Sequence, residues 1–123
     1  MSGDVWLCSG QSNMDWNVAG TNNAAAEMKK ANFANIRYFS VEKTASQTPQ
    51  ENCNGDWKLC SPKTVRAFSA VAFYSGRTLH HKLNIPIGLL VSAWGGTRIE
   101  SWTQWEMQKN DPSSKRLKAI RDK

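Results

Sequence analysis

The chain has 123 residues, enough for one small domain, and 40% of them are hydrophobic, including six tryptophans. This composition supports a packed core and excludes a disordered chain. No apolar run approaches the ~20 residues that a membrane span needs, so no membrane association is expected. The net charge is +6, and the last nine residues hold five cations and one acid. A solvated terminal helix face explains that excess, and no basic–aromatic alternation indicates nucleic-acid binding.

The first predicted element is a strand that runs into a glycine turn. Val5 to Cys8 is apolar and bounded by Gly3 and Gly10, a pattern typical of a strand buried on both faces. Gly10 permits a tight turn, and Ser12 follows it where a helix can begin. Its hydroxyl would lie at a strand's carboxyl end, with amides that can face a developing anion. The turn alone leaves an ordinary turn serine as the simpler interpretation, because Gly-x-Ser is common by chance.

A helix, a second strand and a long loop follow. Ala24 to Lys30 is rich in helix formers behind N-cap chemistry at 21–23. Ile36 to Val41 has the apolar and aromatic character of a strand. Residues 42–61 are polar and contain proline, asparagine and glycine, which predicts a long surface loop. The sequence leaves open whether this loop includes an irregular hairpin near Trp57.

The three cysteines are an odd number. Cys8 lies inside the first strand and is most simply a buried thiol. Cys53 and Cys60 bracket a loop, and the sequence leaves open whether they pair in an oxidising compartment or stay free. Their spacing does not indicate a zinc site, and no metal or other cofactor is expected.

The strongest helix pattern covers residues 69–83. One face carries apolar or small residues spaced three or four apart: Phe68, Ala72, Gly76, Leu79 and Leu83. Gly76 is expected to allow close approach to the sheet. His80 and His81 fall outside this stripe in the last turn, where positive charge suits the helix dipole. We therefore predict structural or solvated roles for them, not catalytic ones.

The third strand, Ile87 to Trp94, is apolar nearly throughout and ends in Gly95-Gly96-Thr97. A helix or loop over the pocket is expected at 99–107, and Asp111-Pro112 opens a last helix. The alternation of strands and helices predicts parallel pairing with right-handed crossovers. Ligands bind beyond the carboxyl ends of such strands, so Ser12 and Gly95-Gly96 are expected at the same edge.

Several stretches together resemble the sialate O-acetylesterase branch of the SGNH hydrolases. In matching order over residues 3–105 they are Gly10-Gln11-Ser12-Asn13-Met14, Trp57 to Pro62, Phe68 to Ala72, Gly95-Gly96-Thr97 and Ile99-Glu100-Ser101-Trp102. The resemblance implies an α/β, flavodoxin-like sheet with flanking helices. We predict that residues 1–123 form an incomplete catalytic domain of this type. Its sheet would have about three parallel strands in the order 2-1-3, with the third strand exposed at an edge.

The resemblance also implies a chemistry. Ser12 would be the nucleophile of an esterase that hydrolyses O-acetyl esters of sugars such as sialic acid through an acetyl-serine. The implied oxyanion donors are the amides of Ser12 and of Gly95 or Gly96. The expected supporting or substrate-binding residues are Gln11, Asn13, Trp16, Thr97 and Arg98. The Arg98 guanidinium matches the carboxylate of an acidic sugar, with an exposed loop arginine as the alternative. Trp16 would wall the pocket or fill the core.

Two of the resembled family's four blocks are missing, namely Asp-x-x-His and His-Gln-Gly-Glu. The isolated chain is therefore expected to be nearly inactive, because the base that activates the serine is absent.

The competing hypothesis is a non-catalytic flavodoxin-like fragment or a module that binds a sugar or a partner. The expected binding partner is a small O-acetylated sugar. The sequence leaves open whether the remainder of its own domain is a second partner. The first strand begins at the chain start with no signal peptide ahead of it, which suggests a fragment boundary, whereas the resembled family is usually secreted, periplasmic or lysosomal.

Overall fold

The computed structural model describes residues 2–122 and contains one mixed, mostly parallel sheet of four strands. The strands are β1 (Asp4–Gly10), β2 (Phe33–Ser40), β3 (Trp57–Cys60) and β4 (Ile87–Ala93). Their order across the sheet is β1-β4-β2-β3. β4 pairs in parallel with both β1 and β2, and β3 is antiparallel to β2. The predicted α/β class with a parallel sheet and flanking helices is confirmed.

Five α-helices flank or follow the sheet within residues 2–122. They are α1 (Ser12–Asp15), α2 (Ala24–Lys30), α3 (Ala70–Leu83), α4 (Trp105–Gln108) and α5 (Lys115–Arg121). Single 3-10 turns lie between them at Val18–Gly20, Val65–Ala67, Ile99–Trp102 and Pro112–Ser114. α3 is the longest helix, and the Ser69 hydroxyl caps it by accepting a hydrogen bond from the Ala72 amide at 3.2 Å.

The predicted strand order 2-1-3 was wrong. The third predicted strand, β4, is interior and hydrogen-bonded on both sides, whereas β1 lies at an edge. β4 lies inside the sheet because it is apolar along nearly its whole length, with Leu89 and Val91 buried on one face. Val5 and Leu7 of β1 are 66% and 67% exposed, so the expectation that β1 is buried on both faces was also wrong for the described residues. A fourth strand, β3, forms in the region where only an irregular hairpin was expected.

The core lies between α3 and the face of the sheet that carries Ile36, Tyr38 and Leu89. Gly76 allows the helix to approach this face, because an added Cβ would lie 2.9 Å from the Leu89 methyl groups. The helix stripe was predicted one turn too long, since Leu83 is 51% exposed.

All three cysteines are free thiols in the structure. Cys60 is buried and donates to the Ala31 carbonyl oxygen at 3.7 Å, and burial raises the pKa of its thiol to about 11. Cys53 is exposed, and Cys8 is partly buried rather than fully buried. Among residues 2–122 no group of three or more His, Cys, Asp or Glu side chains is placed to hold a metal ion. No helix in the same range is long and apolar enough to cross a bilayer.

Gly76→Ala should lower the free energy of unfolding by about 1 kcal/mol, because overpacking against Leu89 outweighs the gain in helix propensity. The exposed neighbour Ser75 offers a matched control, and Ser75→Ala should be neutral or slightly stabilising. Urea denaturation followed by circular dichroism measures both. A Gly76→Ala protein as stable as the parent would contradict the close helix–sheet contact.

Candidate active site

The first part of the site is the turn between β1 and α1. Gly10 has a φ of +148°, which favours glycine, and the chain then enters α1 at Ser12. The Gln11 side-chain oxygen accepts from the Ser12 hydroxyl at 3.3 Å and from the Ser12 amide at 3.5 Å. The Asp15 amide donates to the Gln11 carbonyl oxygen at 2.9 Å and closes the turn. Ser12 is exposed at the carboxyl end of β1.

An open cleft of about 430 Å³ lies over this turn. Its lining is formed by Ser9, Gly10, Gln11, Ser12, Asn13, Met14 and Val71. Val71 belongs to the first turn of α3, and the Ser69 hydroxyl that caps this helix also contacts the Met14 sulfur at 3.5 Å. The amino end of α3 therefore lies beside the cleft, where its partial positive charge favours an anion.

The second part of the site is the turn that follows β4. In the parallel register Gly10 lies opposite Ala93, and the Trp94 amide extends the pairing by donating to the Gly10 carbonyl oxygen at 3.1 Å. A Cβ built on Gly95 would lie 3.6 Å from the Ser12 Cα, so the two turns are in contact. Gly96 has a φ of +79°, and a Cβ built on it would have no atom within 4 Å. Ser12 and the glycine pair thus lie together at the carboxyl edge of the sheet.

A carboxylate that sequence reasoning missed joins the two turns. Asp15 Oδ2 accepts from the Gly95 amide at 2.9 Å and from Lys43 Nζ at 2.6 Å. Partial burial raises the pKa of the Asp15 carboxyl, but the hydrogen bonds from Lys43 and Gly95 and the charge of Lys43 lower it by more. Its net pKa lies below the ordinary range, so the group is a carboxylate at neutral pH. The only signal in the sequence was an acid three residues after the serine.

This contact changes what the two glycine amides can do. The Gly95 amide is engaged by the Asp15 carboxylate, so it is not free to face a ligand at Ser12. The Gly96 amide makes no hydrogen bond with any part of residues 2–122.

The other residues expected at the site differ in their placement. Asn13 lines the cleft, whereas Trp16 does not: its indole donates to the Gly20 carbonyl oxygen at 3.1 Å and its side chain is largely exposed. The Thr97 hydroxyl donates to the Trp94 carbonyl oxygen at 2.7 Å and accepts from the Trp102 indole at 2.8 Å, so it supports the turn. Arg98 is exposed and forms no ion pair within the described residues.

The two histidines lie at the opposite end of the sheet, where the parallel strands begin. His80 Nδ1 is 2.7 Å from the Ile85 carbonyl oxygen, and the His80 and His81 rings pack edge-on against Phe33 at 6.3 and 5.4 Å. Phe33 begins β2, whereas Ser12 follows the end of β1. The length of a strand, roughly 20 Å at ~3.3 Å per residue, separates them from the serine. The packing of both rings and the exposure of His81 agree with the structural or solvated roles predicted for the two histidines.

A solved structure shares this arrangement of strands and turns. The chain matches a carbohydrate acetylesterase from Xanthomonas citri with a TM-score of 0.84 and 35% identity, over 89% of this chain and 26% of that one. The fold is thus that of the carbohydrate acetylesterase class. The family model described as carbohydrate esterase, sialic acid-specific acetylesterase, matches residues 2–122. The chain belongs to this family.

Curated relatives agree with this assignment. The chain is 40% identical to the sialate O-acetylesterase of Rattus norvegicus and 38% identical to that of Pongo abelii, each over 110 residues. Both alignments cover 82% of this chain, but 20% of the rat protein and 21% of the orangutan protein. The chain therefore spans about a fifth of the length of the curated relatives it matches.

Gly96→Ala should lower the free energy of unfolding by about 1–2 kcal/mol, because its φ of +79° is unfavourable for a residue with a Cβ. Gly95→Ala is the matched control, since its Cβ would meet Asp15 and Ser12 only at 3.5–3.9 Å. Chemical denaturation of the two variants measures the difference. Equal stability would contradict the left-handed conformation of Gly96.

Proposed function

We propose that residues 1–123 form part of the catalytic domain of a serine esterase that removes acetyl groups from sugar hydroxyls. The adjacency of the Ser12 turn and the Gly95-Gly96 turn at one sheet edge supports this proposal most strongly. A nucleophile beside free backbone amides is the arrangement that acyl transfer needs. Membership of the sialic acid-specific acetylesterase family supports the same chemistry.

The proposed reaction has two halves. A base takes the Ser12 hydroxyl proton while Oγ bonds to the acetyl carbonyl carbon, and the resulting intermediate expels the sugar oxygen, which takes up the proton. Water then attacks the acetyl-serine with the same base, the Oγ–acyl bond breaks, and acetate leaves. The serine is regenerated with its proton.

The amides of Ser12 and Gly96 are the proposed oxyanion donors. The Ser12 amide makes only a 3.5 Å contact with the Gln11 side chain, longer than an ordinary hydrogen bond, so an oxyanion can replace that partner. The Gly95 amide is assigned a supporting role through Asp15. Asn13, which lines the cleft, is the proposed contact to the sugar, and Arg98 is the candidate for an acidic substituent on it.

Neither His80 nor His81 is the proposed base, because both lie at the end of the sheet opposite Ser12. The remainder of the domain is the proposed source. The same observation favours the second candidate function, a non-catalytic module whose cleft binds a sugar while Ser12 stays unreacted.

We expect the 123-residue chain to hydrolyse p-nitrophenyl acetate and O-acetyl sialic acid at close to the background rate, because a serine without its base retains only the oxyanion donors. A longer protein that holds the whole domain should be active. In that protein Ser12→Ala should lower kcat by at least about 10³-fold. Rates measured for both chains with each substrate test these expectations.

Ser75→Ala, at an exposed position of α3, controls for the loss of a serine hydroxyl and should leave kcat unchanged. Full turnover by the 123-residue chain would show that its own residues supply the base. If Ser12→Ala leaves the activity of the whole domain unchanged, the assignment of Ser12 as the nucleophile is wrong. If the whole domain binds O-acetylated sugar without turnover, the non-catalytic binding module is favoured.

A further inference from the structure

Three loops meet at the carboxylate of Asp15. Asp15 ends α1, Lys43 lies three residues beyond β2, and Gly95 lies two residues beyond β4. One oxygen, Oδ2, accepts from both the Gly95 amide at 2.9 Å and the Lys43 ammonium at 2.6 Å. The Asp15 amide donates to the Gln11 carbonyl oxygen, so the backbone from which the carboxylate extends is fixed relative to Ser12.

We propose that Asp15 is a positioning residue that locks the Gly95-Gly96 turn against the Ser12 turn and thereby selects the Gly96 amide as the oxyanion donor. The inference rests on the proposed esterase function for its kinetic consequence. The lock itself is a property of the three loops. It explains why one glycine amide is engaged while its neighbour is free.

Lys43 binds the same carboxylate oxygen and offsets the charge of Asp15, although the Asp15–Gly95 contact does not depend on it. A carboxylate close to a developing oxyanion would repel it, and the Lys43 ammonium offsets that charge. Asp15 and Lys43 side chains are 30% and 45% exposed, so their ion pair contributes little stability by itself. Its effect is to hold a charged acceptor that binds the Gly95 amide more strongly than a neutral one would.

The charge state of Asp15 gives the lock a pH dependence. The ionisable group that faces it directly is Lys43. Burial is the main cause that raises the pKa of the Tyr38 hydroxyl of β2; the hydrogen bond with the Ser69 amide lowers this pKa, and the charges of Cys8 and Asp15 raise it further. Because the pKa of Asp15 is lowered in the folded protein, the lock is complete above the ordinary aspartate pKa and is lost as pH falls through the lowered value.

Nuclear magnetic resonance of the ¹⁵N-labelled 123-residue chain tests the lock without any activity. We expect the Gly95 amide proton to titrate with a midpoint below about 3.9, the ordinary aspartate value. Asp15→Ala should shift this resonance and abolish its titration, and Asp15→Asn should abolish only the titration. Asp111→Ala is the matched control, because Asp111 also accepts a backbone amide, from Ser113 at 2.7 Å, in a different turn. A Gly95 resonance that is unchanged by Asp15→Ala would overturn the proposal.

Kinetics of the whole domain test the consequence. Asp15→Ala should lower kcat about 10²-fold with KM nearly unchanged, because a displaced oxyanion donor affects mainly the transition state. Asp15→Asn should recover part of the loss, and Lys43→Met should lower kcat with the Gly95 contact retained. A change in KM alone would overturn the positioning role. If Ser12→Ala has no effect, the proposed function fails, but the Gly95 titration still decides whether the lock exists.

Discussion

The parallel pairing of β1 with β4 is the constraint on which the site depends. The register runs from Asp4 opposite Ile87 to Gly10 opposite Ala93, so the two strands end together. Their turns therefore leave the sheet side by side, although about eighty residues separate them in the chain. A slip of one residue would move one turn by roughly 3.3 Å and reverse the faces of the strand. Either change would break the contact between Asp15 and Gly95.

α3 fixes both ends of this arrangement. Its amino end lies at the Ser12 turn, where Phe68 stacks on Tyr38 with ring centroids 4.0 Å apart and the Tyr38 hydroxyl accepts from the Ser69 amide at 2.9 Å. Its carboxyl end lies at the opposite edge, where His80 and His81 pack on Phe33. Between these two ends, the helix lies close to the sheet at Leu89 because Gly76 has no Cβ. The packing that supports the serine thus also keeps the histidines away from it.

The sequence predicted local structure well because its signals were local. The apolar run before Gly10, the apolar stripe of residues 69–83 and the glycine pair after β4 each specify their own element. The strand order depends on pairing between strands that are distant in sequence. An apolar run such as Val5 to Leu7 does not indicate which strands it will pair with. The nearly continuous apolar character of β4 is typical of a strand inside the sheet, and it agrees with the observed order rather than with the predicted order 2-1-3.

Asp15 was missed for a related reason. An acid shortly after a serine in a turn has several local explanations, and its partner amide at Gly95 is distant in sequence. Gly95 and Gly96 also look equivalent in the sequence, and only the contact with Asp15 distinguishes them.

That contact places a negative charge close to where the proposed reaction would develop another. A neutral acceptor would avoid the repulsion, but it would hold the Gly95 amide less strongly, because charge-assisted hydrogen bonds are shorter and about twice as strong. Lys43 resolves this conflict, since its ammonium binds the same oxygen and reduces the carboxylate's field at Ser12. The charge of Asp15 then acts mainly at short range, on the amide that it orients. The geometry of the glycine turn is thereby fixed by a charged group whose long-range effect on the proposed oxyanion is largely cancelled.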